Sequence, residues 1–357
     1  MARLALVMIV RDESRCIERC LSSARPFVDE MVVLDTGSSD GTPGLAERAG
    51  ARVHHAPWAD DFAAARNTAL ALCDADWRLV LDADEWLDGG EGSLAGLPAG
   101  EGAFLGVVRV GSLLDGGAGT EAPNWLPRVL PRGVSYRGRI HEQPDSALPR
   151  RRLGLRVAHD GYLEALRQAK GDRNERLLRQ ALADAPGDAY LHYQLGKDLE
   201  LRGGFAEAAP HYAVAAEGCD ARAAWRHDLV VRRLYTLKRT GAFEAAFRIA
   251  EAEMALWSHS PDFFFALGDL LLDWALAAPA RAGELLPMIE SCWLRSIEIG
   301  EQPALDDAVR GRGSFLAAHN LAAFHASFGR QAEAEAWAAR SAQWRGQASV
   351  TGAAAMA

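Results

Sequence analysis

Cysteine is scarce in this chain and carries no pattern. Cys16, Cys20, Cys73, Cys219 and Cys292 are odd in number, scattered, and form no CxxC pair. That excludes a disulfide framework or a thiolate zinc site and suits a reducing compartment. Long apolar runs are missing too. The first one, Leu4–Val10, ends at Arg11, Asp12 and Glu13. It is too short for a signal peptide, and no later stretch reaches the roughly 20 apolar residues of a membrane span. The expectation is a cytoplasmic chain without a membrane span. Basic excess is also absent, with 39 Lys and Arg against 48 Asp and Glu and a formal charge of −9. No basic face for nucleic acid is therefore expected. There is no GxxxxGK and no GxGxxG, so kinase and dinucleotide readings lack their phosphate-cradling parts.

What is present divides the chain in two. Over residues 1–160, the short apolar runs LALVMIV, EMVVLD, ARVHHA and WRLVL alternate with ESRCIERCLSSA, GTPGLAERAG and FAAARNTALALC. The second set carries apolar residues at helical spacing. Continuous apolar strands alternating with helices predict a Rossmann-like, mostly parallel sheet covered on both faces, with ligands beyond the carboxyl ends of the strands. The glycine-rich residues 89–102 read as a flexible surface loop, and AFLGVVRV and residues 125–140 as further strands. From 161 to 357 the texture is Ala, Leu, Arg and Glu at helical period. GGFAEAAPHYAVAA and TGAFEAAFRIAEAE share a Gly-x-aromatic-x-x-Ala core when Gly203 is set on Gly241. That offset is close to the 34-residue period of tetratricopeptide repeats, so an all-α helical-repeat domain is expected.

Acids gather where a ligand would sit. In LDADEW, extended geometry would put Asp82 and Asp84 on one side of the chain, with nothing basic beside them in sequence. One carboxylate can take Mg2+ or Mn2+ while the other orients waters or a ribose; an Asp-rich turn closing a strand fits the same residues. Asp35 ends the neighbouring strand in VVLDTGSSDGT, where it can accept hydrogen bonds from a base or ribose. In DDFAAARNTAL, Arg66 and Asn67 fall on a helix, and Arg66 is the obvious cationic partner for a diphosphate. His54-His55 reads as a strand end, and the tryptophans and the FFF at 263–265 as core.

Taken together, LVMIVRDE, VVLDTGSSDGT, WADDFAAARN and WRLVLDADEWL resemble the nucleotide-sugar-binding half of family 2 glycosyltransferases, in order and spacing. RGRIHE, VAHDGYL and RNERLLRQAL extend the likeness to the bacterial subgroup that continues into tetratricopeptide repeats, which includes the glycocin peptide S-glycosyltransferases. Two positions depart from that pattern: Arg11-Asp12-Glu13 stands where Lys-Asn-Glu is usual, and Asp160 where an aromatic is common.

The resemblance implies a GT-A fold and single-displacement inversion, using a UDP-sugar and a divalent cation. It implies Asp82 and Asp84 as metal and ribose ligands, His159 as a third metal ligand, and Asp35 and Arg66 at the nucleobase. Val10, Arg11, Glu13, Asn67 and Ala83 complete the donor pocket. Glu142 is the expected base, with His141 orienting it or the diphosphate, and Asp88 is the alternative base. The expected acceptor is a peptide or protein held by the repeats, whose surfaces also serve homodimers. A lipid-linked or surface saccharide as acceptor, and a non-catalytic nucleotide-binding scaffold, remain open at this point.

Overall fold

The computed structural model describes residues 2–99, 104–112, 123–159, 164–305 and 307–354. Its contacts separate two compact units that meet at Ala181 and Leu182. The first contains β1 (Leu4–Val10), α1 (Ile17–Ala24), β2 (Glu30–Asp35), α2 (Thr42–Arg48), β3 (Arg52–His55), α3 (Phe62–Ala71), β4 (Trp77–Val80) and β5 (Glu85–Leu87). β6 (Leu105–Ser112), β7 (Pro123–Pro131), β8 (Ser135–Arg137), β9 (Gln143–Asp145), β10 (Arg150–His159) and most of α4 (Glu164–Asp184) follow.

One eight-stranded sheet runs β3-β2-β1-β4-β7-β6-β10-β5. The β3-β2-β1-β4 half is parallel, as is β6 with β10, while β7 and β5 pair antiparallel with their neighbours. The α/β expectation holds, and its reason is visible in β1. Leu4, Leu6, Met8 and Val10 enter one apolar core while Ala5 and Val7 enter the other. A strand covered on both faces needs no polar alternation. β8 and β9 form a separate hairpin.

The glycine-rich segment is not merely a surface loop. Leu94 and Leu97 are buried in the same core as Leu6, and the Trp77 indole N–H donates to the Pro98 carbonyl at 2.8 Å. Glycine density hid two apolar anchors. Residues 100–102, and Asp160 with its neighbours to 163, lie outside the described residues.

The second unit is helical: α5 (Ala189–Leu201), α6 (Phe205–Gly218), α7 (Arg226–Arg239), α8 (Phe243–Glu253), α9 (Pro261–Ala277), α10 (Ala282–Ile299), α11 (Phe315–Ser327) and α12 (Gln331–Ala354). Gly203 and Gly241, the positions aligned in sequence, both turn between paired helices at positive φ, +81° and +73°. Side-chain caps start two helices. Asp188 accepts the Leu191 N–H at 3.0 Å and Ser260 the Phe263 N–H at 3.0 Å. Composition changes at residue 161, but packing changes later. Leu177 and Leu178 are buried, and Arg176 binds Asp60, so α4 up to Ala181 belongs with the sheet.

Candidate active site

β1, β2 and β4 are parallel neighbours, so their carboxyl ends and the loops after them share one edge. Asp35 closes β2 opposite Val10. Its carboxylate accepts the Gly37 and Ser38 N–H groups at 3.2 Å and meets His55 Nδ1 at 3.3 Å. Burial would raise its pKa, but these hydrogen bonds outweigh burial and hold it low, so Asp35 is an anion poised to accept. The loop after β1 is braced by its neighbour: Glu13 N–H donates to Thr42 Oγ1 at 2.8 Å, and Asp12 Oδ1 accepts Ser39 N–H at 2.7 Å. Arg11 is exposed beside Asp12, and the Cys16 thiol donates to Glu13 Oε2 at 3.2 Å. Val10 and Ala83 are core residues.

The acidic motif is not extended. β4 ends at Val80, and the chain turns so that Glu85 N–H donates to the Asp82 carbonyl at 3.0 Å. The Glu85 carboxylate accepts the Asp82 N–H at 2.9 Å. The two aspartates take different partners. Asp82 Oδ1 receives Arg66 Nη2 at 2.6 Å and Oδ2 receives Arg128 Nη2 at 3.2 Å. Asp84 Oδ2 instead lies 3.5 Å from His159 Nε2, on β10.

The acids do have basic partners, brought from distant segments. Arg128 lies on β7 and also pairs with Glu85; Arg66, from α3, also pairs with Glu142. Burial would raise the Asp82 carboxyl, yet the two guanidiniums hold it far below the ordinary range. Burial pushes Glu85 up against the pull of Arg128. At His159, burial would lower the imidazole pKa, and Asp84 more than reverses this, holding it above the ordinary value. Arg66 Nη1 and Arg128 Nε are buried without a hydrogen-bond partner. Such orphaned donors are costly in a merely structural cluster.

Three expected site residues are thus gathered at one point: Arg66, Asp82 and Glu142. Asp84 and His159 form a pair beside them, and Arg66 also lies 5.6 Å over the Tyr136 ring. Asn67 plays a different part from the one expected. Its amide donates to the Tyr136 carbonyl at 2.9 Å and accepts the Tyr136 N–H at 2.7 Å, clamping β8 to α3. His141 has a left-handed φ of +51°, and its carbonyl accepts Gln143 Nε2 at 3.3 Å. Asp88 is exposed, and its carbonyl receives Arg156. Arg128 went unnoticed in the sequence, although a lone arginine inside WLPRVLP is a signal: a charge there must find an opposite one.

Residues 5–91 match the family model described as Glycosyl transferase family 2. A TPR repeat-containing protein of Synechococcus elongatus is 35% identical over 263 residues, covering 69% of this chain and 64% of that protein. An uncharacterized glycosyltransferase of Rickettsia felis is 37% identical over 87 residues, 24% of this chain and 30% of that one. The prophage-derived glycosyltransferase SunS of Bacillus subtilis is 26% identical over 204 residues, 54% of this chain and 48% of SunS. The chain thus spans less than two thirds of the length of each of these relatives.

Proposed function

We propose, for a chain whose residues 5–91 match the family 2 glycosyltransferase model, that it moves a sugar from a UDP-sugar to a peptide or protein acceptor with inversion. The observation that carries this reading is the sharing of Arg66 by Asp82 and Glu142 at the strand ends. Arg66 fixes the Glu142 carboxylate in place, which meets the geometric requirement of a general base. In the reaction, Glu142 takes the acceptor proton as the acceptor atom bonds the anomeric carbon, and the bond from that carbon to the diphosphate oxygen breaks. Asp35 accepts hydrogen bonds from the base or ribose. His141 and Glu142 line the acceptor side.

The donor set fits a divalent cation, Mg2+ or Mn2+, in part. Asp84 supplies the carboxylate oxygen that both ions prefer, with phosphates usually completing the shell, and the His159 imidazole facing it would be a nitrogen ligand once neutral. Asp82 is committed to two arginines, and among the described residues no group of three His, Cys, Asp or Glu side chains is arranged to hold a metal. Asp84 and His159 would therefore hold the ion, and Asp82 would support the ribose and the arginines. When bound, such an ion supplies Lewis-acid neutralisation of the departing diphosphate.

The helical unit is the proposed acceptor platform, since repeat surfaces bind extended chains. Five free cysteines suit a reducing, cytoplasmic setting. No helix of the described residues is long and apolar enough to cross a membrane. The test has two parts. UDP release from UDP-glucose with Mn2+ should be abolished by chelator. Intact masses of proteins co-purified from cells with and without the enzyme should differ by a hexose-sized or N-acetylhexosamine-sized increment. Nucleotide binding without release, even with cell extract as acceptor source, would make the chain a scaffold instead.

A further inference from the structure

The arginines around the strand ends are mostly committed to carboxylates. Arg66 and Arg128 hold Asp82, Glu85 and Glu142, and Arg176 on α4 grips Asp60 with two bonds of 2.9 Å. Arg173, one turn earlier on α4, is different. Among the described residues it hydrogen-bonds only the side-chain oxygen of Asn174, at 3.2 and 3.4 Å, and its guanidinium carbon lies 5.2 Å from the centre of the Phe62 ring. Glu13 and Arg11, from the loop after β1, lie within its electrostatic reach. Burial lowers its pKa more than Glu13 restores it. A half-buried cation without a bonded carboxylate is costly until an anion arrives.

Its placement is built rather than incidental. Asp60 adopts a left-handed φ of +56°, accepts the Trp58 indole N–H at 2.8 Å and anchors Arg176. Trp58 in turn packs edge-on to Phe62 at 4.8 Å between ring centres, and the Phe62 N–H donates to the Arg139 carbonyl at 2.8 Å. Phe62 is therefore a fixed platform, and a guanidinium over an aromatic ring keeps its fork in a defined plane. The neighbouring strand-end loops carry Glu13, Asp35 and Asp84, so an incoming dianion needs a cation not already neutralised.

We propose that Arg173 binds the diphosphate of the nucleotide donor, reaching the site from α4 rather than from the sheet. This rests on the nucleotide-sugar reading above. The planar guanidinium would take two phosphate oxygens at once, as arginine does at bidentate anion sites.

The test uses the full-length chain and calorimetric titration with a panel of nucleoside diphosphates, UDP first, and with the matching nucleosides as phosphate-free probes. Arg173→Gln should weaken diphosphate binding by about ten- to a hundredfold, the usual effect of losing hydrogen bonds to a charged group, and leave nucleoside binding unchanged. Arg173→Lys should recover part of the loss as a point charge. Arg176→Gln, which loosens α4 without touching the anion, should change binding less than threefold. Unchanged diphosphate affinity in Arg173→Gln, with wild type binding, overturns the proposal alone. An equal loss in Arg176→Gln also overturns it, by making the effect one of helix docking. Failure of the wild type to bind any nucleoside diphosphate overturns both this proposal and the donor reading.

Discussion

The two units each bury a network of charges, and the networks are built in opposite ways. In the helical unit, Asp228 receives Arg232 from one turn along the same helix and Tyr193 Oη from α5, each at 2.6 Å. Arg232 also meets Glu200 at 2.7 Å, and Tyr212 Oη donates to Glu200 at 2.6 Å. None of the buried polar atoms of these five side chains is left unpaired. At the strand ends, Arg66, Asp82, Arg128 and Glu142 come from α3, the turn after β4, β7 and the hairpin region, and two guanidinium nitrogens stay unpaired. A fully satisfied network specifies a fold. A partly unsatisfied one keeps bonding capacity for something that arrives later.

The largest expected effect breaks the comparison at its functional end. Glu142→Gln keeps the shape of the side chain but cannot accept the proton, so transfer should fall about 10²- to 10⁴-fold with donor affinity nearly unchanged. Steady-state transfer rates set against UDP titration check this. Equal loss of UDP binding would make Glu142 a donor ligand. A thiol acceptor should give a smaller fall, because part of a free thiol is already ionised near neutral pH.

Next comes the matched pair Arg66→Met and Arg232→Met. Each strands buried carboxylates and should destabilise by about 3–5 kcal/mol, read by urea unfolding. The difference should appear in activity per folded molecule, lost in Arg66→Met and largely kept in Arg232→Met. Equal retention would deny the strand-end network its chemical role.

Asp269 sharpens the contrast by pH. Burial raises its carboxyl from 3.8 to about 6, although Lys238 and Arg312 pull the other way, and Asn320 donates to it at 2.9 Å. The folded state therefore binds the proton more tightly than the unfolded one. Below pH 4 the group is protonated in both states and costs nothing. As pH rises from 3.8 to about 6, unfolding loses about 3 kcal/mol of free energy. Asp269→Asn should flatten that slope and raise stability at pH 7 by up to that amount, measured by urea melts across pH 4–7.

The smallest effect concerns helix spacing. A Cβ on Gly268 would lie 2.5 Å from the Trp293 indole nitrogen, and one on Gly196 would lie 2.7 Å from the Tyr212 ring. Gly268→Ala should cost about 1–3 kcal/mol by overpacking, with turnover per folded molecule unchanged. Heat melts and activity measured on the same sample decide it.

Strands β1, β2, β3 and β4 and the helices between them were legible because their signal is local: continuous apolar runs and 3.6-residue periods. The repeats were legible for the same reason, through Gly203 and Gly241. Asp35, Asp82 and Asp84 could be picked out because carboxylates after apolar strands are conspicuous, whereas Glu142 was picked out through the family resemblance. Leu94 and Leu97 were masked by the glycines around them, and Asn67 looked like a ligand residue because nothing local reveals a clamp on the Tyr136 main chain.

The sequence alone thus determined the α/β-then-α order, the edge of the sheet where acids collect, and the identity of those acids. Only the tertiary structure decided which of them are neutralised and by what. Arg66 and Arg128 reach Asp82 across 16 and 46 residues of chain. The same folding paired Asp84 with His159 and, among the described residues, left Arg173 bonded to no carboxylate. Pattern along a chain reports what each element must bury, whereas charge pairing depends on which elements sheet order makes neighbours, and that is set by the packing of the whole unit.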